Sequence, residues 1–163
     1  MNATTGRAIL ASESPESFAK KAMREPECLA EIWDAARAPD VPQGIRDARR
    51  ADLLARKDFY WVCEDLIHAA QDEWGDDLLP FETLSLSALD LEIRACVALI
   101  RWARNEGPEA AVIEGFAACS AFYAKVFEAL SEPRKAYADS SARLLEARTT
   151  LTTRAASLAG IEL

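Results

Sequence analysis

The sequence predicts an all-α fold, an irregular antiparallel bundle of five or six helices. Three observations predict it. Apolar residues recur at three- and four-residue intervals through almost the whole chain. Strand-like alternation is confined to Leu84-Ser85-Leu86-Ser87, at a helix entrance. Tyr137, Leu144, Leu151 and Leu158 repeat every seven residues, which builds an apolar stripe that packs against another helix.

The elements follow in chain order. Residues 1–13 hold few apolar side chains, with only Ile9 and Leu10 able to dock, and are expected to form a loosely ordered arm. A single helical domain is expected over 14–163. Ser14-Pro15-Glu16 opens a helix with a hydroxyl cap, a proline at the first position and an acid near the positive helix end. Pro26 kinks that helix or starts the next, on which Cys28, Leu29, Ile32, Trp33 and Ala36 share a face. Residues 38–44 form a loop with two prolines and a glycine.

One long or two shorter helices cover about 47–74, with Phe59, Val62, Cys63, Leu66, Ile67 and Ala70 inward and Gly75 as the stop. A loop over 75–82 leads to the most apolar helix, about 85–105, with Leu86, Leu89, Ile93, Cys96, Val97 and Ile100 inside and an Asp90–Arg94 pair outside. Gly107-Pro108 turns the chain into an antiparallel neighbour, where Gly115 allows close backbone approach. Ser131-Glu132-Pro133 is expected to break it, leaving the heptad helix at about 133–159, roughly 40 Å long at 1.5 Å per residue.

Composition bounds the function. A chain of 163 residues, half of them hydrophobic, suits one domain with a real core. The net charge of -8 disfavours nonspecific binding to nucleic acid or anionic membranes and is compatible with a basic protein partner. The one basic cluster, Arg46, Arg49, Arg50, Arg56 and Lys57, is interrupted by Asp47, Asp52 and Asp58; it reads as a salt-bridged surface or a local docking patch for an acidic partner. No basic stretch followed by an apolar run opens the chain, and the longest apolar patch, 95–100, is far below the roughly 20 residues of a membrane span. A cytoplasmic location is expected. Cys28, Cys63, Cys96 and Cys119 form no CxxC pair, so disulfides are not expected and the thiols read as small packed hydrophobes. Cys63, Cys96 and Cys119 lie mid-helix, the one arrangement that would let thiols share a soft metal.

Candidate chemistry is sparse. Glu64, His68 and Asp72 stand at i, i+4, i+8 on one helix face, the spacing with which a metal site begins. A dinuclear carboxylate bundle needs Glu-x-x-His from two helices, and this chain has one histidine, so no metal and no cofactor is expected. Glu73-x-x-Asp76 resembles half of the acidic motif of all-helical nucleotide pyrophosphohydrolases, without the partner Glu-x-x-Glu. Asp76-Asp77 followed by Glu82 is loosely similar to an isoprenoid-diphosphate motif, without its second half. Neither implies an activity here. No nucleophile elbow, phosphate-cradling glycine loop or dinucleotide fingerprint is present.

The expected function is therefore non-enzymatic protein binding, as a regulatory, inhibitory or accessory subunit; the Ala- and Arg-rich composition suggests a bacterial or phage type. Interface candidates are Trp61, Trp102, Tyr137, Leu144, Leu151 and Leu158. The aromatics are the residues enriched at interfaces, and the stripe serves either the core or a homodimer through the C-terminal helix. Two alternatives stay open: a pocket for a small apolar ligand lined by Phe116, Phe122 and Phe127, and a metal-dependent enzyme using Glu64, His68 and Asp72.

Overall fold

A computed structural model describes residues 5–139 and 143–163. The fold is an all-α helical bundle, with no strand among the described residues. The helices are α1 (Gly6–Ala11), α2 (Pro15–Arg24), α3 (Leu29–Ala35), α4 (Gln43–Phe59), α5 (Asp65–Trp74), α6 (Leu79–Ala103), α7 (Glu109–Asp139) and α8 (Leu144–Ala159). By packing, the chain divides into two compact units. The first takes in the chain up to Leu53 together with Leu89–Ser120; the second comprises Leu54–Ala88 and Ala121–Leu163.

In the first unit, the stretch expected to be a loose arm carries α1, which is anchored. The reason lies in partners far along the chain. Leu10 is fully buried, and the Asp40 carboxylate accepts hydrogen bonds from the backbone N–H groups of Gly6 and Arg7 at 3.1 and 3.0 Å. Those hydrogen bonds, that from Arg7 foremost, hold the Asp40 carboxyl below its ordinary range. A Cβ on Gly6 would sit 2.3 Å from Ala38 Cβ, so only glycine allows this approach. Residues 1–4 of the expected arm lie outside the described residues.

Helix α2 starts as its sequence predicts, with Ser14 Oγ accepting from Ser17 N and Pro15 in the first turn. Pro26 opens a short 3-10 turn before α3. Within this unit α6 and α7 pack closely where Gly115 faces Ala95; a Cβ there would meet Ala95 Cα at 3.1 Å. The turn between the two helices ends α6 with Asn105 at φ +60, a left-handed position that asparagine tolerates.

In the second unit, the helical run from α4 to α5 is continuous through a π-helical turn at Tyr60–Glu64. Gly75 ends it at φ +54. The loop expected over 75–82 is instead a 3-10 turn, Gly75–Leu78, leading directly into α6, because Pro80 is well suited to a first helical turn. Leu86, expected inside, is 59% exposed; Phe81, Leu84 and Ala88 are buried residues of α6 in this unit, and Ile93, Cys96, Leu99 and Ile100 are buried along its continuation in the first.

The expected break at Pro133 does not occur: α7 runs through it to Asp139. A helix-interior proline leaves the carbonyl four residues back without its N–H partner. That carbonyl is Ala129, and Arg154 Nη1 on α8 donates to it at 3.0 Å. Helix α8 is accordingly 16 residues, about 24 Å at 1.5 Å per residue, not the expected 40 Å. Residues 140–142 of the expected heptad helix lie outside the described residues. Helix α7 is long and apolar enough, by length and composition, to cross a bilayer, yet Val112, Phe116, Cys119, Tyr123, Val126 and Leu130 are buried along it at core spacing.

Candidate functional site

The interior of the first unit holds charge. Arg49 and Asp52 stand one turn apart on α4, and Glu92 comes from α6; they are 1%, 0% and 1% exposed. Arg49 Nη1 donates to Asp52 Oδ2 and, at 3.2 Å, to Glu92 Oε2. Trp33 of α3 lies 4.3 Å from the guanidinium carbon and Phe116 of α7 lies 5.6 Å from it. Four helices thus converge on one cation. Burying charge is tolerable only when it is paired and hydrogen-bonded, and here two carboxylates face one guanidinium.

Cys119 Sγ and oxygens of Asp52 and Glu92 lie within 4.8 Å of one another, a spacing a metal ion can use. The Arg49 guanidinium already supplies the cation to both carboxylates. Cys96, one turn beyond Glu92 on α6, is fully buried; desolvation, reinforced by Glu92, pushes its thiol well above the ordinary range. A thiol kept protonated in this way is a poor nucleophile and a poor ligand.

Arg49 also reaches a cavity of about 440 Å³ lined by Ala36, Arg37, Arg46, Arg49, Arg50 and Leu53. Its walls carry four guanidinium groups and no carboxylate. Other hollows among the described residues differ from it. One of about 690 Å³ is lined by both signs, including Lys21, Glu25, Glu31 and Asp34; another, about 470 Å³, lies between α7 and α8 in the second unit.

The second unit presents aromatics instead. Trp61, on the π turn, is 39% exposed and neighbours Tyr60, 43% exposed. The Trp61 ring stacks beneath the Arg134 guanidinium at 4.2 Å and packs on Phe127 at 6.0 Å. Arg134 also pairs with Asp65, which fixes the stack. Trp74 is buried, with Tyr137 edge-on at 5.4 Å and Phe81 at 5.7 Å.

The expected site residues separate. Glu64 accepts from Ser85 Oγ at 2.9 Å, while His68 and Asp72 are exposed. Phe116 packs against Arg49 in the first unit, Phe122 against Phe59 and Tyr123 in the second, and Phe127 against Trp61, so each ring has a separate neighbourhood. Of the interface candidates, Trp61 is at the surface. Trp102 is 8% exposed beneath Arg7, whose guanidinium carbon is 4.5 Å from the ring, and Leu151 is fully buried, which removes both from the surface. Leu144, Leu158 and Tyr137 are half-buried. The stripe turns inward on Ala147, Leu151 and Ala155, and its outer neighbour Leu145 is 73% exposed.

Sequence reasoning placed Arg49 and Asp52 on a solvated face and passed over Glu92. The available signal was Arg49 in register with Ile45 and Asp52, at four- and three-residue steps that put them on one face. No family model, curated protein or solved structure matches the chain.

Proposed function

We propose that this chain is a non-enzymatic, cytoplasmic protein-binding domain, a regulatory, inhibitory or accessory subunit of bacterial or phage type. The observation that carries the reading is the exposed aromatic pair Tyr60 and Trp61. Trp61 is held under Arg134 and Leu54, 65% exposed, stands seven residues before it. Tryptophan, tyrosine and arginine dominate the energetics of protein interfaces. A ring already fixed by a guanidinium and an ion pair loses little side-chain freedom on binding, which lowers the cost of association. A π turn is a frequent companion of functional positions. The net charge of -8 is compatible with a basic partner.

Affinity purification of the tagged chain from its own host tests this. Wild type should retain a stoichiometric protein that Leu54→Ser with Trp61→Ser loses, while circular dichroism of the variant stays unchanged. Retention of the same protein by both forms defeats the assignment of this surface. A homodimer through α8 is the second reading, favoured by the exposed Leu145. Wild type that stays monomeric by sedimentation equilibrium at high micromolar concentration removes it.

A further inference from the structure

We propose that the arginine-lined cavity of the first unit binds the phosphoryl group of a small phosphate monoester. Arg49 lines the cavity while almost wholly buried. Its Nη1 is committed to Asp52 and Glu92, but Nε and Nη2 are buried and have no hydrogen-bond partner among the described residues. Those two nitrogens share one edge of the planar guanidinium, the fork that grips two oxygens of an oxyanion side-on. A buried donor left unsatisfied costs free energy, which a small shift of the guanidinium edge toward an oxyanion in the cavity would relieve. The half-buried Arg46 repeats the pattern, with Nε also unpartnered.

Charge selects the ligand class. Asp52 and Glu92 outnumber Arg49 two to one, so the cavity's positive field comes from Arg37, Arg46 and Arg50. Among the described residues these three make no ion pair. A dianion answers such a field better than a monoanion. A phosphoryl group also offers three terminal oxygens to the guanidiniums of α4 and of Arg37, where a carboxylate offers two. The volume, about 440 Å³, exceeds what a bare phosphate fills and falls within the range of small-molecule sites. Ala36 and Leu53 supply apolar wall for an organic substituent. The acidic surface elsewhere works against polyanions such as nucleic acid, which favours a small ligand.

The test is calorimetric titration of the full chain at constant ionic strength and pH 7.5, with inorganic phosphate, phenyl phosphate and succinate. Wild type should bind both phosphates, phenyl phosphate more tightly, and succinate at least tenfold more weakly. Arg46→Gln with Arg50→Gln should weaken both phosphates at least tenfold. Arg50 is exposed, so Arg50→Gln alone tests the site without disturbing the core and should weaken binding at least threefold. Absence of phosphate binding by wild type overturns the proposal, as does unchanged affinity in Arg50→Gln. Equal binding of succinate overturns the phosphoryl assignment. Inorganic phosphate binding as tightly as phenyl phosphate overturns the monoester.

Discussion

The two units handle polarity in opposite ways. The first buries Arg49, Asp52 and Glu92 and leaves Met23 and Leu53 as its exposed large apolar side chains. The second buries Thr152 as its one polar residue among those described, and exposes Leu54, Tyr60, Trp61, Leu79, Leu86, Leu145 and Leu163. An ordinary apolar core stabilises through area removed from water and tolerates many packings, whereas a buried ion cluster is tolerated only while its charges stay paired and hydrogen-bonded. An exposed apolar set does the reverse, giving up folding stability for surface that another molecule can cover. The first unit thus holds an internal charge constraint, and the second carries most of the exposed large apolar side chains.

Removing the Arg49 cation should disturb the first unit most. Arg49→Met removes the guanidinium from which Asp52 and Glu92 both accept. Breaking a buried pair by deleting one partner costs about 3–5 kcal/mol. Urea melts should show that loss, and replacing all three residues by apolar ones of similar volume should restore most of it. A loss below about 1 kcal/mol for the single variant would mean that water reaches the cluster.

A second pair of variants contrasts the faces of α6. Ile93 is 5% exposed in the first unit and Leu86 is 59% exposed in the second. Ile93→Ala should cost roughly 2–5 kcal/mol, the range for truncating a buried aliphatic side chain. Leu86→Ala should stay within about 0.5 kcal/mol, as surface changes do. Equal losses would erase the distinction between the two positions.

How far the sequence carried the fold follows from the range of the forces involved. Capping at Ser14, the stop at Gly75 and the Asp90–Arg94 pair are local, and each was legible; so was the close approach at Gly115, because a short Gly107-Pro108 turn sets its helix against the one before. What escaped depends on residues far apart in sequence. Each of the four tryptophans lies under an arginine: Trp33 under Arg49, Trp61 under Arg134, Trp74 under Arg148 and Trp102 under Arg7. The arginines flanking Trp102 in sequence, Arg101 and Arg104, are not its partner; Arg7 is, and no periodicity points there. Arg104 reaches instead the carbonyls of Ala11 and Glu13. The arm and the helix through Pro133 were misread for the same reason, since Asp40 and Arg154 supply what the local sequence lacks. Arg49 is the decisive case: a basic residue on a charged stretch looks solvated until Glu92 and Trp33 arrive from other helices.

A smaller effect isolates the device that carries α7 through its proline. Arg154→Ala removes the donor to the Ala129 carbonyl and should cost roughly 1 kcal/mol, toward the low end for a charge-assisted hydrogen bond because Arg154 is exposed. In a Pro133→Ala background the backbone N–H returns and Arg154→Ala should cost almost nothing. A double-mutant cycle of thermal melts measures the difference. Additive losses would show that Arg154 acts elsewhere.

The thiols give the finest comparison, with no cost to stability at neutral pH. Cys63 in the second unit is fully buried, and desolvation pushes its pKa from 9.0 up to about 12. Cys96 in the first unit is raised for the same reason. A raised folded-state pKa means that the folded chain holds its proton more tightly than the unfolded chain. The stabilisation from Cys63 is therefore complete below about pH 9 and is lost as pH rises through about 12. Thiolate is the reactive form, so at pH 8 iodoacetamide should modify the half-buried Cys28 first. Cys63 and Cys96 should react only through opening of the unit around each. Mass spectrometry of timed samples then reports each unit separately. In Arg49→Met, labelling of Cys96 should accelerate more than labelling of Cys63, because the lost cation lies in the first unit. Equal acceleration would mean that the two units open together, and the contrast between them would then be one of composition and not of independent stability.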